Sequence, residues 1–265
     1  MRRRVLAGLA AAMVGGPACA APAWTACRVE HGVLVVPARA AGLTGAFILD
    51  TAAPRSLLDA TQASLAGIDG EVASAPVDLA GHRLAKVEMA VAALDARTRS
   101  QPTPITGVLG ADLLAGLVLE VRPGPCRFRL TTRAAPVRPL ASLPVELRGG
   151  APYVQAGVSD GARAELGRFR VATGSPAAVR LNDGLARIEG ASKAVSAPLR
   201  ALSVGEVLVE NPAAEVAPEA DPGVAGEIGE PVWAAHGFQL DLRRQRLVLF
   251  DPAQQKTRRK RSGGS

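Results

Sequence analysis

The sequence contains two similar segments in the same order, and this internal repeat limits the possible folds more than any other feature. Residues 48–56 (ILDTAAPRS) resemble residues 170–178 (RVATGSPAA), and a pair of glycines three residues apart follows each segment. The pairs are Gly107 with Gly110 and Gly226 with Gly229. The spacing from the third residue of each segment to its first glycine is 57 residues in one copy and 54 in the other. The chain is therefore predicted to contain a duplicated unit of roughly 110–120 residues.

Most of the chain has the pattern of short β-strands. Residues 33–36 and 46–49 are continuous apolar runs, which are typical of strands that are buried on both faces. Residues 85–91 alternate between apolar and polar side chains, as a half-buried strand does. Prolines at positions 136, 139 and 144 favour a linker at 134–144. We therefore expect a mostly β fold with two similar units, at 25–133 and 145–252.

The first 20 residues have the pattern of a signal peptide. Arg2–Arg4 form a basic start, residues 5–14 are apolar, and Ala18-Cys19-Ala20 resembles a cleavage site. The apolar run is too short to span a bilayer, so no stable membrane anchor is expected. The protein is predicted to be exported, periplasmic or secreted. A general signal, a twin-arginine signal and a lipoprotein signal at Cys19 all stay open.

The net charge of +7 comes from the two ends of the chain. Arg2–Arg4 and five cations at 256–261 belong to these ends, so residues 21–255 contain 23 Lys and Arg against 24 Asp and Glu. This near balance gives no support for a nucleic-acid-binding body, and no nucleic-acid partner is expected. Residues 253–265 are predicted to form a basic, disordered tail. A weak attraction of this tail to anionic membranes or cell-wall polymers is the alternative.

Two cysteines, Cys27 and Cys126, lie after the predicted signal peptide. In an oxidising compartment they can form a disulfide that closes a loop of nearly 100 residues, which stabilises a fold by about 3–5 kcal/mol on the chain-entropy model. We predict this disulfide. The alternative is a pair of buried free thiols.

An apolar strand that runs directly into Asp-Thr and small residues is the motif of an aspartic peptidase half-site. With the residues Phe47–Ser56 and Ile105–Leu114, and their partners Phe169–Ala178 and Val224–Gly229, the sequence resembles the retropepsin/pepsin-like aspartic peptidases in their bacterial exported two-lobe form. The resemblance covers roughly residues 25–252. It implies two similar β-barrel lobes that face each other across a cleft.

The same resemblance matches six loop residues to positions of the family motif. Asp50 matches the catalytic aspartate, and Thr51 matches the threonine that supports the loop. Ala52 stands where the family has glycine, so this loop must avoid a positive φ. In the second lobe Thr173 and Gly174 match the motif, but Ala172 stands where the second aspartate belongs. The second lobe is therefore predicted to be degenerate.

Two carboxylates are needed because they share a proton, so that one activates water while the other protonates or polarises the peptide carbonyl. Losing one acid/base partner typically reduces the rate by about 10²–10⁴. Asp50 alone is therefore expected to give weak catalysis or none.

Substrate binding could persist without catalysis. The family holds extended peptides under a β-hairpin flap, and the hairpin predicted at 77–91, with its turn at Gly81 and His82, occupies the matching interval. An ordinary surface hairpin is the alternative. The three histidines, at positions 31, 82 and 236, show no ligand spacing, so neither a metal nor a cofactor is expected.

Three functions remain open from the sequence. The first is an exported aspartic-peptidase-like protein whose cleft binds a peptide or an unfolded protein segment with little or no catalysis. The second is an active aspartic endopeptidase in which two chains of a homodimer each supply Asp50. The third is a structural envelope protein without a peptide cleft.

Overall fold

The fold consists mainly of β-strands, as predicted, and the computed structural model describes residues 23–182, 199–217 and 223–253. The predicted signal peptide and all but the first residue of the predicted tail lie outside these ranges. The strands of the first half are β1 (Thr25–Ala26), β2 (Arg28–Glu30), β3 (Val33–Ala40), β4 (Leu43–Leu49), β5 (Leu57–Asp59), β6 (Val72–Leu79), β7 (His82–Ala92), β8 (Ile105–Leu109), β9 (Val118–Arg122) and β10 (Arg127–Thr131).

The strands of the second half are β11 (Pro139–Pro144), β12 (Glu146–Arg148), β13 (Ala151–Ser159), β14 (Ala164–Ala172), β15 (Val179–Asn182), β16 (Ala201–Val204), β17 (Val207–Glu210), β18 (Ala214–Ala217), β19 (Gly226–Gly229), β20 (Gly237–Asp241) and β21 (Arg246–Phe250). The helices are short: α1 (Ala60–Leu65), α2 (Asp95–Thr98), a 3₁₀ turn (Ala111–Leu114) and α3 (Glu230–Trp233). In the described part of the chain, no helix has the length and apolar character needed to cross a membrane.

The two lobes have matching sheets, which confirms the predicted pair of similar β units. In the first lobe β4 lies parallel to β8, and β5 runs antiparallel to β8 on its other side. In the second lobe β14 lies parallel to β19, and β15 runs antiparallel to β19. Residues 33–36 and 47–49 are all buried, so these parts of β3 and β4 are covered on both faces, which explains the continuous apolar runs in the sequence.

A third, central sheet joins the lobes and contains the final strands of both. Its order is β1, β10, β9, β20, β21 and β11, and its centre is the antiparallel pair β9 and β20. Leu119 in β9 lies opposite Leu240 in β20. One continuous hydrophobic core extends through both lobes and includes Phe47, Phe169 and Trp233, all fully buried.

Part of the predicted linker is a strand. Residues 139–144 form β11, which pairs with β21 along most of its length. β11 lies at the edge of the central sheet, where one side of the strand needs no ladder partner. Prolines are tolerated at such edges because their missing N–H groups leave no bond unmade. The prolines that favoured an irregular linker are therefore compatible with regular structure there.

The predicted disulfide between Cys27 and Cys126 is confirmed. The two Cα atoms are 5.0 Å apart, and the backbone N–H of Cys27 donates to the carbonyl of Cys126 at 3.1 Å. The bridge joins the start of the first lobe to the turn between β9 and β10. It therefore links the first lobe to the central sheet.

Candidate functional site

The two repeated loops meet at the interface between the lobes, where β4 ends before Asp50 and β14 ends at Ala172. Each loop rests on the second glycine of its pair. A Cβ atom on Gly110 would lie 2.7 Å from the carbonyl oxygen of Ala53, and one on Gly229 would lie 1.9 Å from that of Ala177. Real Cβ atoms do not come so close to backbone, so only glycine fits at these positions. The paired glycines are thus explained by the close packing of the loops.

The threonines of the two loops hold the lobes together, as the resemblance implied for Thr51. Thr51 Oγ1 donates to the carbonyl of Val171 at 2.6 Å, and Thr173 Oγ1 donates to the carbonyl of Leu49 at 2.6 Å. Each hydroxyl also accepts an N–H from the opposite threonine, at 3.1 and 3.3 Å. Both threonines are fully buried, so these four hydrogen bonds form a symmetric lock between the lobes.

Asp50 lies beside this lock and is 4% exposed. Its Oδ1 accepts N–H groups from Ala52 at 2.9 Å and from Gly174 of the opposite loop at 3.2 Å. A Cβ on Gly174 would lie 2.5 Å from the Asp50 side chain, so the glycine permits this approach. Ala52 replaces glycine without strain because its φ is not positive.

The other oxygen of Asp50 forms an ion pair with the guanidinium group of Arg97. Arg97 lies in α2, whose start is fixed because Asp59 accepts the backbone N–H of Leu94 at 3.4 Å. The side chain of Arg97 is 37% exposed and reaches the carboxylate from the solvent side. No sequence motif points to Arg97, because it lies 47 residues after Asp50 and outside both repeated segments.

Ala172 occupies the position in the second lobe that corresponds to Asp50. The turn after Asp50 has a bond from the N–H of Ala53 to the Asp50 carbonyl at 3.2 Å, and the turn after Ala172 has the same bond from Ser175 at 3.3 Å. Ala172 is 1% exposed. The second loop therefore presents a methyl group at the point where the first loop presents the Asp50 carboxylate.

A second acidic residue, Glu230, lies close to the site and belongs to none of the sequence motifs described above. Glu230 begins α3 immediately after Gly229, and its N–H donates to the Ser175 carbonyl at 3.1 Å. The residue is fully buried, and neither carboxyl oxygen has a hydrogen-bond partner. Burial raises the pKa of Glu230 well above its ordinary value of 4.5, and the negative charge of Asp50 raises it further. A difference between the repeats could have pointed to Glu230, because the residue after the second glycine is Ala111 in the first lobe and Glu230 in the second.

Because of this raised pKa, we expect Glu230→Gln to stabilise the protein at neutral pH and to have little effect at pH 4. Above pH 4.5 the unfolded chain releases the proton while the folded protein keeps it, so wild-type stability falls as the pH rises. The difference in unfolding free energy should grow by about 1.4 kcal/mol per pH unit until the folded-state pKa is reached. Urea unfolding at a series of pH values measures it.

The exposed turn residue Glu206 provides the matched control. Glu206→Gln is expected to change the unfolding free energy by less than about 0.5 kcal/mol throughout the series. A Glu230→Gln variant that is less stable than wild type at pH 7 would contradict the raised pKa of the buried Glu230 carboxyl.

A cavity of about 430 Å³ opens between the lobes beside Asp50. The first lobe contributes Arg97, Ser100 and Gln101, and the second contributes Ala172, Ser175 and Glu227, together with Arg170 and Arg180. Gln101 Oε1 and Ser175 Oγ are buried without a hydrogen-bond partner. Buried polar atoms are rarely left unpaired, so these two offer an acceptor and a hydroxyl to a polar ligand.

The structure does not bring Gly81 and His82 to this cavity. The hairpin predicted at 77–91 exists as β6 and β7, with a turn at Ala80 and Gly81, where φ is positive at both residues. However, His82 Nε2 lies 2.9 Å from the carbonyl oxygen of Leu130 in β10. The turn is therefore attached to the central sheet, and the 96–101 segment lines the cavity in its place.

Among the described residues, no cluster of three His, Cys, Asp or Glu side chains could hold a metal ion. The polar groups around Asp50 are main-chain N–H groups and a guanidinium group, which are donors and do not coordinate metals.

Two matching β lobes, joined by a shared sheet and by interlocked Asp-Thr and Ala-Thr loops, define a pepsin-like two-lobe β fold. The solved structure of the aspartic proteinase from Irpex lacteus is similar, with a TM-score of 0.57 over 86% of this chain and 97% of that chain. The two sequences are 11% identical, so the likeness concerns the fold. No protein-family model and no curated protein sequence matches the chain.

Proposed function

We propose that the chain is an exported aspartic-peptidase-like protein whose interlobe cavity binds extended peptide segments with little or no cleavage. The observation that carries this proposal is the ion pair between Asp50 and Arg97 opposite the methyl group of Ala172. A peptidase needs two carboxyl groups that share a proton around a water molecule. In this chain Ala172 stands in place of one carboxyl group. The second oxygen of the other, Asp50 Oδ2, is paired with the guanidinium group of Arg97.

Glu230 does not replace the missing carboxyl in this proposal. It is fully buried and is not among the residues that line the cavity. A general acid must reach the reacting group directly or through one water molecule. Glu230 therefore takes no part in proton transfer at Asp50 in this proposal.

Peptide is the favoured ligand because the cavity presents both kinds of hydrogen-bonding group. Gln101 Oε1 can accept a main-chain N–H, and Ser175 Oγ can donate to a main-chain carbonyl. These groups come from opposite lobes, so a segment that lies between the lobes can contact both. The disulfide supports export, because such bonds persist in oxidising compartments.

The homodimer alternative requires the two Asp50 residues of different chains to meet. The surface that would pair them is occupied by the second lobe through the Thr51 and Thr173 hydrogen bonds. Separating the lobes would also break the β9–β20 pairing of the central sheet. These interlobe contacts favour the single-chain binding function.

Binding can be tested with a fluorescent octapeptide of Ala, Val and Ser, followed by fluorescence anisotropy, and cleavage by chromatography over pH 3–8. We expect binding without cleavage. Ala96→Trp at the cavity rim should weaken binding at least about tenfold, because the indole fills the entrance. Ala162→Trp, at an exposed loop outside the cavity, is the matched control and should bind as wild type does.

Two results would overturn the proposal. Cleavage by the wild-type monomer at acid pH that is lost in Asp50→Asn would establish a working peptidase. Equal binding by Ala96→Trp and wild type would place the peptide elsewhere.

A further inference from the structure

We infer that the cavity selects peptides carrying a carboxylate, which binds at Arg180 on the second-lobe wall. This inference rests on the proposed peptide-binding function and names the class of peptide. It begins with the charges that line the cavity in the described part of the chain. The guanidinium groups are Arg97, Arg170 and Arg180, and the carboxylates are Asp50 and Glu227, which leaves one positive charge in excess.

Arg180 is the least strongly held of the three arginines. Arg97 is paired with Asp50, and Arg170 donates to the Tyr153 hydroxyl at 2.8 and 2.9 Å and to Glu227 at 3.2 Å. Arg180 has one longer contact, 3.5 Å from its Nη1 to Glu227. Its Nε is buried and has no hydrogen-bond partner.

The register of the strands explains why Arg180 keeps an N–H donor without a partner. Glu227 in β19 lies between Arg170 in β14 and Arg180 in β15, so one carboxylate serves two guanidinium groups. The side chain of Arg180 is 40% exposed, whereas that of Arg170 is 26% exposed. Arg180 can therefore turn toward a ligand while Arg170 continues to hold Glu227.

The chemistry of the site favours a carboxylate monoanion. A guanidinium group presents two parallel N–H donors that match the two oxygens of a carboxylate. A doubly charged phosphate would bring a second negative charge close to Glu227 with no further free cation among the described lining residues. Either the side chain of an acidic residue or the free carboxyl terminus of a peptide could supply the carboxylate.

Three labelled peptides that share one backbone sequence distinguish these sources. The first has a central Glu and an amidated end, the second has Gln and an amidated end, and the third has Gln and a free carboxyl terminus. At low salt, at least one of the two carboxylate peptides is expected to bind wild type about tenfold more tightly than the neutral peptide. The carboxylate peptide that binds more tightly identifies the source of the carboxylate.

Arg180→Gln is expected to reduce this preference to less than about twofold, because the carboxylate loses the guanidinium group that binds it. Arg83→Gln is the matched control, because Arg83 is also an exposed arginine in an ion pair, 3.0 Å from Asp78, and lies outside the cavity. It should retain the full preference.

Each other outcome counts against a defined claim. Equal binding of all three peptides by wild type would overturn the inference and leave peptide binding intact. A preference that survives in Arg180→Gln would overturn the assignment to Arg180. Absence of binding by every peptide would overturn the proposed function and this inference together.

Discussion

The double variant Arg97→Gln/Ala172→Asp is expected to hydrolyse peptides at acid pH about 10²–10⁴ times faster than wild type. The first change frees the outer oxygen of Asp50, and the second supplies the missing carboxyl across the lobe interface. The N–H groups of Ala52 and Gly174 already donate to Asp50 and remain in place in the double variant. A quenched fluorogenic peptide, followed over pH 3–8, measures the rate.

The single variants separate the two effects. Ala172→Asp alone should raise the hydrolysis rate little, because Arg97 still pairs with Asp50. Arg97→Gln alone should also raise it little, because Asp50 would have no second carboxyl group with which to share a proton. Adding Asp50→Asn to the double variant should return the rate to the wild-type level. Thermal unfolding of every variant shows whether each remains folded.

Two results would contradict the roles given to Arg97 and Ala172. If Ala172→Asp alone is as fast as the double variant, Arg97 does not restrain Asp50. If the folded double variant remains inactive, the site lacks more than a second carboxyl group and an unpaired Asp50 oxygen.

The parts of the site that could be predicted from the sequence are those within short repeated motifs. Asp50 and Thr51 follow a buried strand directly, and Thr173 lies at the matching point of the second copy. Their geometry depends on a few neighbouring residues and a glycine pair, so the motif alone specifies it. The disulfide could be predicted because only one pair of cysteines remained.

Arg97 and the orientation of the 77–91 hairpin depend on tertiary contacts and could not be predicted. Arg97 reaches Asp50 because Asp59 anchors the start of α2, a contact across 35 residues. The hairpin and its turn follow from the local sequence pattern. The hydrogen bond from His82 to the carbonyl of Leu130 spans 48 residues and holds the turn against the central sheet. Local sequence predicts that a hairpin forms and does not predict where its tip rests.

Glu120→Ala is expected to lower the free energy of unfolding by about 3–5 kcal/mol. Glu120 lies at the centre of the sheet that joins the lobes and is 1% exposed. Its oxygens accept bonds from Arg122 at 2.7 and 2.9 Å and from Arg129 at 2.6 and 3.0 Å, and Gln239 of β20 donates to it at 3.2 Å. Removing the acid would leave two arginines, each 14% exposed, without their counter-charge. Urea unfolding measures the loss.

Glu146 provides a control with the same number of arginine partners in a different environment. Its carboxylate contacts Arg168 at 2.7 Å and Arg148 at 3.8 Å, but the side chain is 49% exposed. Glu146→Ala should therefore lower the free energy of unfolding by less than about 1 kcal/mol, because water solvates the arginines that remain. If the two variants lose equal stability, burial does not determine the importance of Glu120. The central sheet would then depend on the backbone pairing of β9 and β20 rather than on this charge cluster.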